Sequence, residues 1–179
     1  MQYDPIKRSL GNVFNKSPFL RKTFYSLLDL LLLRAWHVHK ELRAWSSEFG
    51  AQSDLRTPNS KLPTILDAGA GFGQYSFWMW KHFKNCSILA VDVKEEQVAD
   101  CNNFFKQIGA GDKVKFIVDD LTIFKRDNLY DLVLSVDVME HILEDVLVFK
   151  NFHASMKKGG MLLISTPSDQ GGSDVHGES

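Results

Sequence analysis

The chain has 179 residues, enough for one domain with a properly buried core. Its 44% hydrophobic and 24% charged residues exclude a disordered or fibrous polypeptide. The formal net charge of −1 argues against a general nucleic-acid binder that works by neutralising phosphates.

The charge is unevenly placed. Residues 1–63 hold 10 Lys and Arg against 5 Asp and Glu, whereas the remainder holds 11 against 17. A basic arm of this kind suits an anionic substrate or a membrane surface, and equally a solvated helix face on an acidic body. The first segment reads as helical. Ser17-Pro18 is a good helix start, with serine as the cap and proline in the first turn, and Gly50 is a natural stop. Between them Phe24, Leu28, Leu31, Ala35, Val38, Leu42, Trp45 and Phe49 recur at steps of four and three, one apolar stripe along a helix. A single helix of that length would measure about 48 Å, so two helices with a break near Arg34 are expected, with Trp36 and Trp45 packing them together. The most apolar stretch, Leu27 to Leu33, carries Asp29 and falls short of the roughly 20 residues that span a bilayer. No apolar run precedes a small-residue cleavage site. The two cysteines, Cys86 and Cys101, form no metal-ligand spacing, so no metal and a reducing, cytoplasmic setting are expected.

Residues 51–63 are polar and turn-rich and read as a connector. Strands and helices then alternate: a strand over Thr64–Ala68, a helix over about Gly73–Lys84, a strand over Ser87–Val91. A helix over Glu95–Ile108 follows, its buried face Val98, Cys101, Phe105 and Ile108, stopped by Gly109. Strands at Val114–Val118 and Leu132–Ser135 come next, then a helix over Ile142–Met156 closed by Lys157-Lys158-Gly159, and a fifth strand over Met161–Ser165. Residues 167–179 form a polar tail. Short β-rich runs between helices predict a parallel sheet covered on both faces, a Rossmann-like doubly wound α/β fold. The expected organisation is therefore an amino-terminal helical arm and connector over 1–63, a core over 64–166, and the tail.

The densest chemical signal is Asp67-Ala68-Gly69-Ala70-Gly71-Phe72-Gly73, an acid ending a strand and three alternate glycines opening a helix. Glycines let backbone approach a ligand without a Cβ in the way, and a helix start offers free N–H groups to an anion. A dinucleotide fingerprint would place its third glycine at position 74, where this chain has glutamine. Asp92, with Val93 beside it, ends the second strand, where a carboxylate can accept both ribose hydroxyls of an adenosine. At Asp119-Asp120-Leu121 a carboxylate can accept from an adenine amino group and Leu121 can pack on the ring; either acid can instead cap the turn that follows. The run Tyr130 to His141 emerges at the carboxyl edge of the sheet, where ligands of open α/β folds sit.

The ordered series LDAGAGFG, AVDV, FIVDDL, YDLVLSVDVMEH and MKKGGMLLIS resembles the class I S-adenosylmethionine-dependent methyltransferases, over roughly residues 64–166. The Glu140-His141 pair is most similar to the small-molecule and quinone-biosynthesis type. The resemblance implies S-adenosylmethionine as cofactor and S-adenosylhomocysteine as product. It implies that the backbone of Gly69, Ala70, Gly71 and Gly73 holds the methionine part, with Asp67 supporting the loop. Asp92 and Val93 would meet the ribose, Asp120 and Leu121 the adenine, and Ser135 and Val136 the sulfonium end. The family's sheet continues beyond the fifth strand with an antiparallel pair, strands 6 and 7. Their absence implies a shortened form of a longer protein or a minimal fold, and the first is favoured. A bare fifth-strand edge would then offer a surface for homodimer pairing.

In such an enzyme the protein aligns a nucleophile with the methyl group and excludes water. A general base is needed only for a protonated acceptor such as an alcohol or phenol. The histidines placed for it are His141, at the mouth, and His37 or His39 on the amino-terminal helices, which in this type of enzyme form a lid. Each also has a structural reading, as a cap or packing residue for His141 and an exposed helix position for the others. The leading expectation is methyl transfer to a small-molecule or lipid-like acceptor. The alternatives are an NAD-type oxidoreductase with an unusual glycine loop and a methyltransferase-like domain that binds without catalysis.

Overall fold

A computed structural model describes residues 17–52, 62–83 and 85–167. The expected polar tail from 168 onward, the first 16 residues and most of the connector lie outside these. Helix α1 spans Pro18–Leu31 and starts as the sequence dictates. Ser17 is extended, and its hydroxyl accepts the Leu20 N–H at 3.2 Å. The apolar stripe breaks at Leu32, two residues before the expected Arg34, and α2 then runs Leu33–Gln52, past Gly50. Neither proline nor glycine is needed for this break. Leu32 turns extended while its N–H still bonds the Leu28 carbonyl and its own carbonyl accepts from Ala35, so few backbone groups lose a partner. Trp45 packs on Phe49 and Phe83 as expected of a core residue, but Trp36 is 57% exposed and donates its indole N–H to the Asp29 carbonyl.

The remaining elements are β1 (Thr64–Ala68), α3 (Gln74–His82), β2 (Ser87–Asp92), α4 (Glu95–Gln107), β3 (Val114–Val118), β4 (Tyr130–Val136), a 3-10 turn (Met139–His141), α5 (Asp145–Ser155) and β5 (Met156–Ser165). Every pairing is parallel, in the order β3-β2-β1-β4-β5. This is the Rossmann-like doubly wound sheet, and its order reverses between β1 and β4. The strands are near-continuous apolar runs because both faces are covered. Alternation along β1 divides them. Ile65, with Ile88, Leu132 and Leu134, faces Tyr25, Val38 and Leu42 of α1 and α2, Met79 of α3 and Phe104 and Phe105 of α4. Leu66 and Ala68, with Val91 and Val133, face Leu121, Phe124 and the α5 residues Val148 and Phe152. The amino-terminal helices are therefore built into one of the two core layers, each large side chain contributing about 1.5–3 kcal/mol on burial. On α4 the buried residues are Val98, Cys101, Phe104 and Phe105, while Ile108 is only half-buried.

The largest departure from expectation lies after β4. The helix expected over Ile142–Met156 begins only at Asp145, and Met156 is already extended. Lys157-Lys158-Gly159 does not close a helix but enters β5 through an irregularity. The register steps from Tyr130↔Met156 to Leu132↔Met161. Lys157 Nζ bonds Asp131 Oδ2 at 2.7 Å, and the same oxygen accepts the Thr64 N–H at 2.8 Å. Asp131 thus ties together the starts of β1, β4 and β5. Among the described residues no helix is long and apolar enough to cross a membrane, and no group of three or more His, Cys, Asp or Glu is placed to hold a metal ion.

Candidate functional site

The site sits at the carboxyl edge of the sheet, where β1, β2 and β4 end side by side. The loop after β1 is pinned to the end of β2: Gly69 and Ala70 both donate to the Val91 carbonyl, at 2.8 and 3.0 Å, and Gly71 donates to Asp92 Oδ2 at 2.8 Å. Gly69, Gly71 and Gly73 all have positive φ, which ordinary side chains disfavour. Gly69 lies against the segment after β4, where a Cβ would overlap Val138. Among the described residues a Cβ at Gly71 would meet nothing within 4 Å, so this glycine faces a space that they leave open. Gly73, at the cap of α3, has no side chain with which to cap it.

Beneath the loop, Asp67 is fully enclosed and its Oδ2 accepts the Ser76 hydroxyl at 2.5 Å. Burial pushes its carboxyl up to about 6, against the pull of the Ser76 hydroxyl and backbone bonds. Asp92, the last residue of β2, uses one oxygen for Gly71 and the other for the Lys94 N–H at 2.9 Å. Each oxygen keeps a further lone pair for a hydroxyl. Val93 beside it is exposed. Asp120 does cap the turn: its Oδ1 accepts the N–H and hydroxyl of Thr122, both at 2.8 Å, and these bonds hold its carboxyl below the usual range. Asp119 accepts the Asp120 N–H. Leu121, expected to flank an adenine, is 5% exposed in the α5-side core. Ser135 is completely buried in register with Ala68 and Ile164, and its hydroxyl has no hydrogen-bond partner among the described residues. Val136 is half-buried against the opposite layer.

Residues that the sequence did not single out roof this edge. Gln74 donates to Asp29 Oδ1 at 2.6 Å, and Arg34 forms an ion pair with Asp137, which stands in a left-handed conformation just past β4. Arg21 and Tyr25 of α1 reach the Phe72 carbonyl of the glycine loop. Among these only Asp29 carried a signal in the sequence, as a charge within the apolar stretch Leu27–Leu33. His37 and His141 are both exposed, His141 at the end of the 3-10 turn. His39 was expected at an exposed position but is buried, stacked on Trp78 at 4.2 Å. Burial, with Arg43 and His82 nearby, pushes its pKa down to about 4, so it is neutral at pH 7 and its 3.7 Å approach to Asp29 is not an ion pair there.

Residues 65–160, more than half of the chain, match the family described as methyltransferase domain. The chain belongs to that family. This methyltransferase domain is 28% identical over 102 residues to malonyl-[acyl-carrier protein] O-methyltransferase 2 of Ilyobacter polytropus, covering 57% of this chain and 38% of that protein. It is 30% identical over 133 residues to phosphoethanolamine N-methyltransferase 1 of Triticum aestivum, covering 70% of this chain and 25% of that protein. The chain thus spans well under two thirds of the length of either relative. Among solved structures it shares the fold of geranyl diphosphate C-methyltransferase from Streptomyces coelicolor A3(2), determined with Mg2+, geranyl diphosphate and S-adenosyl-L-homocysteine. The TM-score is 0.53 at 18% identity, over 57% of this chain and 37% of that one.

Proposed function

We propose that this methyltransferase domain binds S-adenosylmethionine where the sheet order reverses, between β1 and β4, and passes its methyl group to a small-molecule or lipid-like acceptor. The observation that carries the reading is Gly71. Its backbone is left-handed, its N–H is fixed by the very carboxylate suited to a ribose, and the space a side chain would fill is open. The cofactor, when bound, supplies an already activated methyl group on a sulfonium. The chain's own task is to bind, orient and keep water out. In this reading the Gly69–Gly73 backbone receives the methionine part, Asp92 accepts from the ribose hydroxyls, and Asp120 accepts from the adenine amino group. The unpartnered hydroxyl of Ser135 and the side chain of Val136 mark the sulfonium end at the tip of β4. Leu121 reaches the adenine only by giving up part of its core contact. His39, held neutral and a weak base, is unsuited to take a proton from the acceptor, which leaves His141 and His37 as candidate bases.

The relatives support this choice, since both act as methyltransferases by name, on an acyl-carrier-bound malonyl group and on phosphoethanolamine. The NAD-type reading has no comparable support, and Gln74 stands where its third glycine belongs. We further assign residues 64–166 to the cofactor-binding core with residues 1–63 as its helical lid and connector. The two free, buried cysteines fit a cytoplasmic location. Among the described residues β5 is the outermost strand on its side of the sheet, and we assign to its edge the pairing of two copies in a homodimer.

Titration calorimetry with S-adenosylhomocysteine tests the site. The 179-residue chain should bind, and Asp92→Ala should weaken binding at least tenfold, about 1.4 kcal/mol, through loss of charge-assisted hydrogen bonds. Unchanged affinity in the variant would place the ribose elsewhere.

A further inference from the structure

We propose that Arg21 and Tyr25 of α1 are positioning residues for the cofactor, holding the peptide after Phe72 in the orientation that lets the glycine loop receive the methionine part. The inference rests on the cofactor site assigned above and adds to it two residues that no motif contains.

Arg21 is only 4% exposed. A guanidinium is costly to bury unless its donors are matched, and here they are. Nε donates to the Tyr25 hydroxyl at 2.8 Å, Nη1 to the Asp100 carbonyl at 3.2 Å, and Nη2 to the Phe72 carbonyl at 3.0 Å while lying 2.9 Å from Cys101 Sγ. The guanidinium also stands 4.9 Å from the Phe104 ring centre. The Tyr25 hydroxyl accepts from Arg21 and donates its own proton to the same Phe72 carbonyl. One loop oxygen therefore takes two donors from one helix.

The neighbouring oxygen is drawn the same way, because the Cys101 thiol donates to the Gly71 carbonyl at 3.6 Å. No peptide here is cis. In a trans peptide the C=O and N–H point in opposite directions. Pulling the Gly71 and Phe72 carbonyls towards α1 and α4 therefore turns the N–H groups of Phe72 and Gly73 the other way. The Gly73 N–H of the peptide that Arg21 and Tyr25 hold is kept by the Ala70 carbonyl at 2.9 Å, which fixes that peptide at both ends. The adjoining peptide, drawn by Cys101 and anchored by its neighbour, turns towards a ligand the Phe72 N–H, which has no hydrogen-bond partner among the described residues. A leucine at position 21 would fill space, but it could not aim a carbonyl. Matched buried polarity of this kind is suited to fixing one conformation.

The test compares two ligands in calorimetry on the 179-residue chain: S-adenosylhomocysteine, which has the methionine part, and adenosine, which lacks it. Tyr25→Phe keeps the ring and removes one donor, and it should weaken S-adenosylhomocysteine about threefold to tenfold. Arg21→Gln should weaken it more than about tenfold, and Arg21→Lys should recover part of the loss because an ammonium reaches one oxygen but cannot fork. Adenosine affinity should stay within about twofold throughout, and amide exchange at Gly73, whose N–H belongs to the peptide that Tyr25 holds and is bonded to the Ala70 carbonyl, should speed up in Tyr25→Phe. Equal losses for both ligands, or no loss in Tyr25→Phe, would overturn the proposal; Tyr25→Phe carries the test should Arg21→Gln fail to fold. A wild-type chain that binds neither ligand would overturn the cofactor site, and this inference with it.

Discussion

Gly69 and Gly71 share a left-handed backbone but differ in what a methyl group would meet. Gly69→Ala collides with Val138, so it should cost stability through both strain and overlap, in total about 2–4 kcal/mol. Gly71→Ala meets open space and should cost about 1–2 kcal/mol of backbone strain, yet it should abolish S-adenosylhomocysteine binding if the open side is the ligand's. Denaturant midpoints beside calorimetry separate these outcomes. Two buried titratable groups make opposite contributions in one pH window. Asp67 is raised from 3.8 to about 6, so it favours the folded state when protonated, and its contribution is lost as pH rises from about 4 to 6. His39 is lowered from 6.5 to about 4, so its contribution is present above pH 6.5 and lost as pH falls towards 4. The stability of Asp67→Asn relative to wild type should therefore improve as pH rises through that window, and that of His39→Gln should improve as pH falls. Urea midpoints at pH 4.5 and 7 read both signs. At this scale the tight glycine turn and the place of Asp92 at the end of β2 were legible because both are tied to a spacing. Arg21 and His39 were not, since an arginine or histidine in a helix reads as solvated until tertiary packing closes over it.

Elements with a clear period or a strong terminator were legible to within a residue or two. Ser17-Pro18 marked the start of α1, and β1 and β3 fall where their apolar runs are. The six leucines between Leu27 and Leu33 offered no breaker, so the stripe announced two helices without fixing the turn at Leu32. After α5 the signal misled for a physical reason: two lysines and a glycine suit a helix end, but here Lys157 is drawn off by Asp131 and the chain is already pairing with β4. Asp131→Ala removes that ion pair and two bonds to Thr64, both centred on a carboxylate that is mostly buried. It should lower the unfolding free energy by about 1–3 kcal/mol, measured by denaturant titration. A change below a few tenths would mean that the strand starts are held by pairing alone.

For the whole molecule, the strand–helix alternation was enough to predict a parallel sheet covered on both faces. It was not enough to place α1 and α2, because nothing local records that Tyr25, Val38 and Leu42 share a core layer with Ile65 and Phe105. That placement brings Asp29, Arg34 and Arg21 onto Gln74, Asp137 and the Phe72 carbonyl, and so ties the amino-terminal helices to the glycine loop and the end of β4 rather than leaving them an independent arm. The central claim is that this edge is shaped for an adenosyl sulfonium. Thermal unfolding of the 179-residue chain with S-adenosylhomocysteine, and separately with NAD, tests it most directly. At a hundred times its dissociation constant S-adenosylhomocysteine should add about 2.7 kcal/mol, a rise in Tm of roughly 5–10 °C for a domain of this size, while NAD leaves Tm unchanged. Stabilisation by NAD with none from S-adenosylhomocysteine would contradict it.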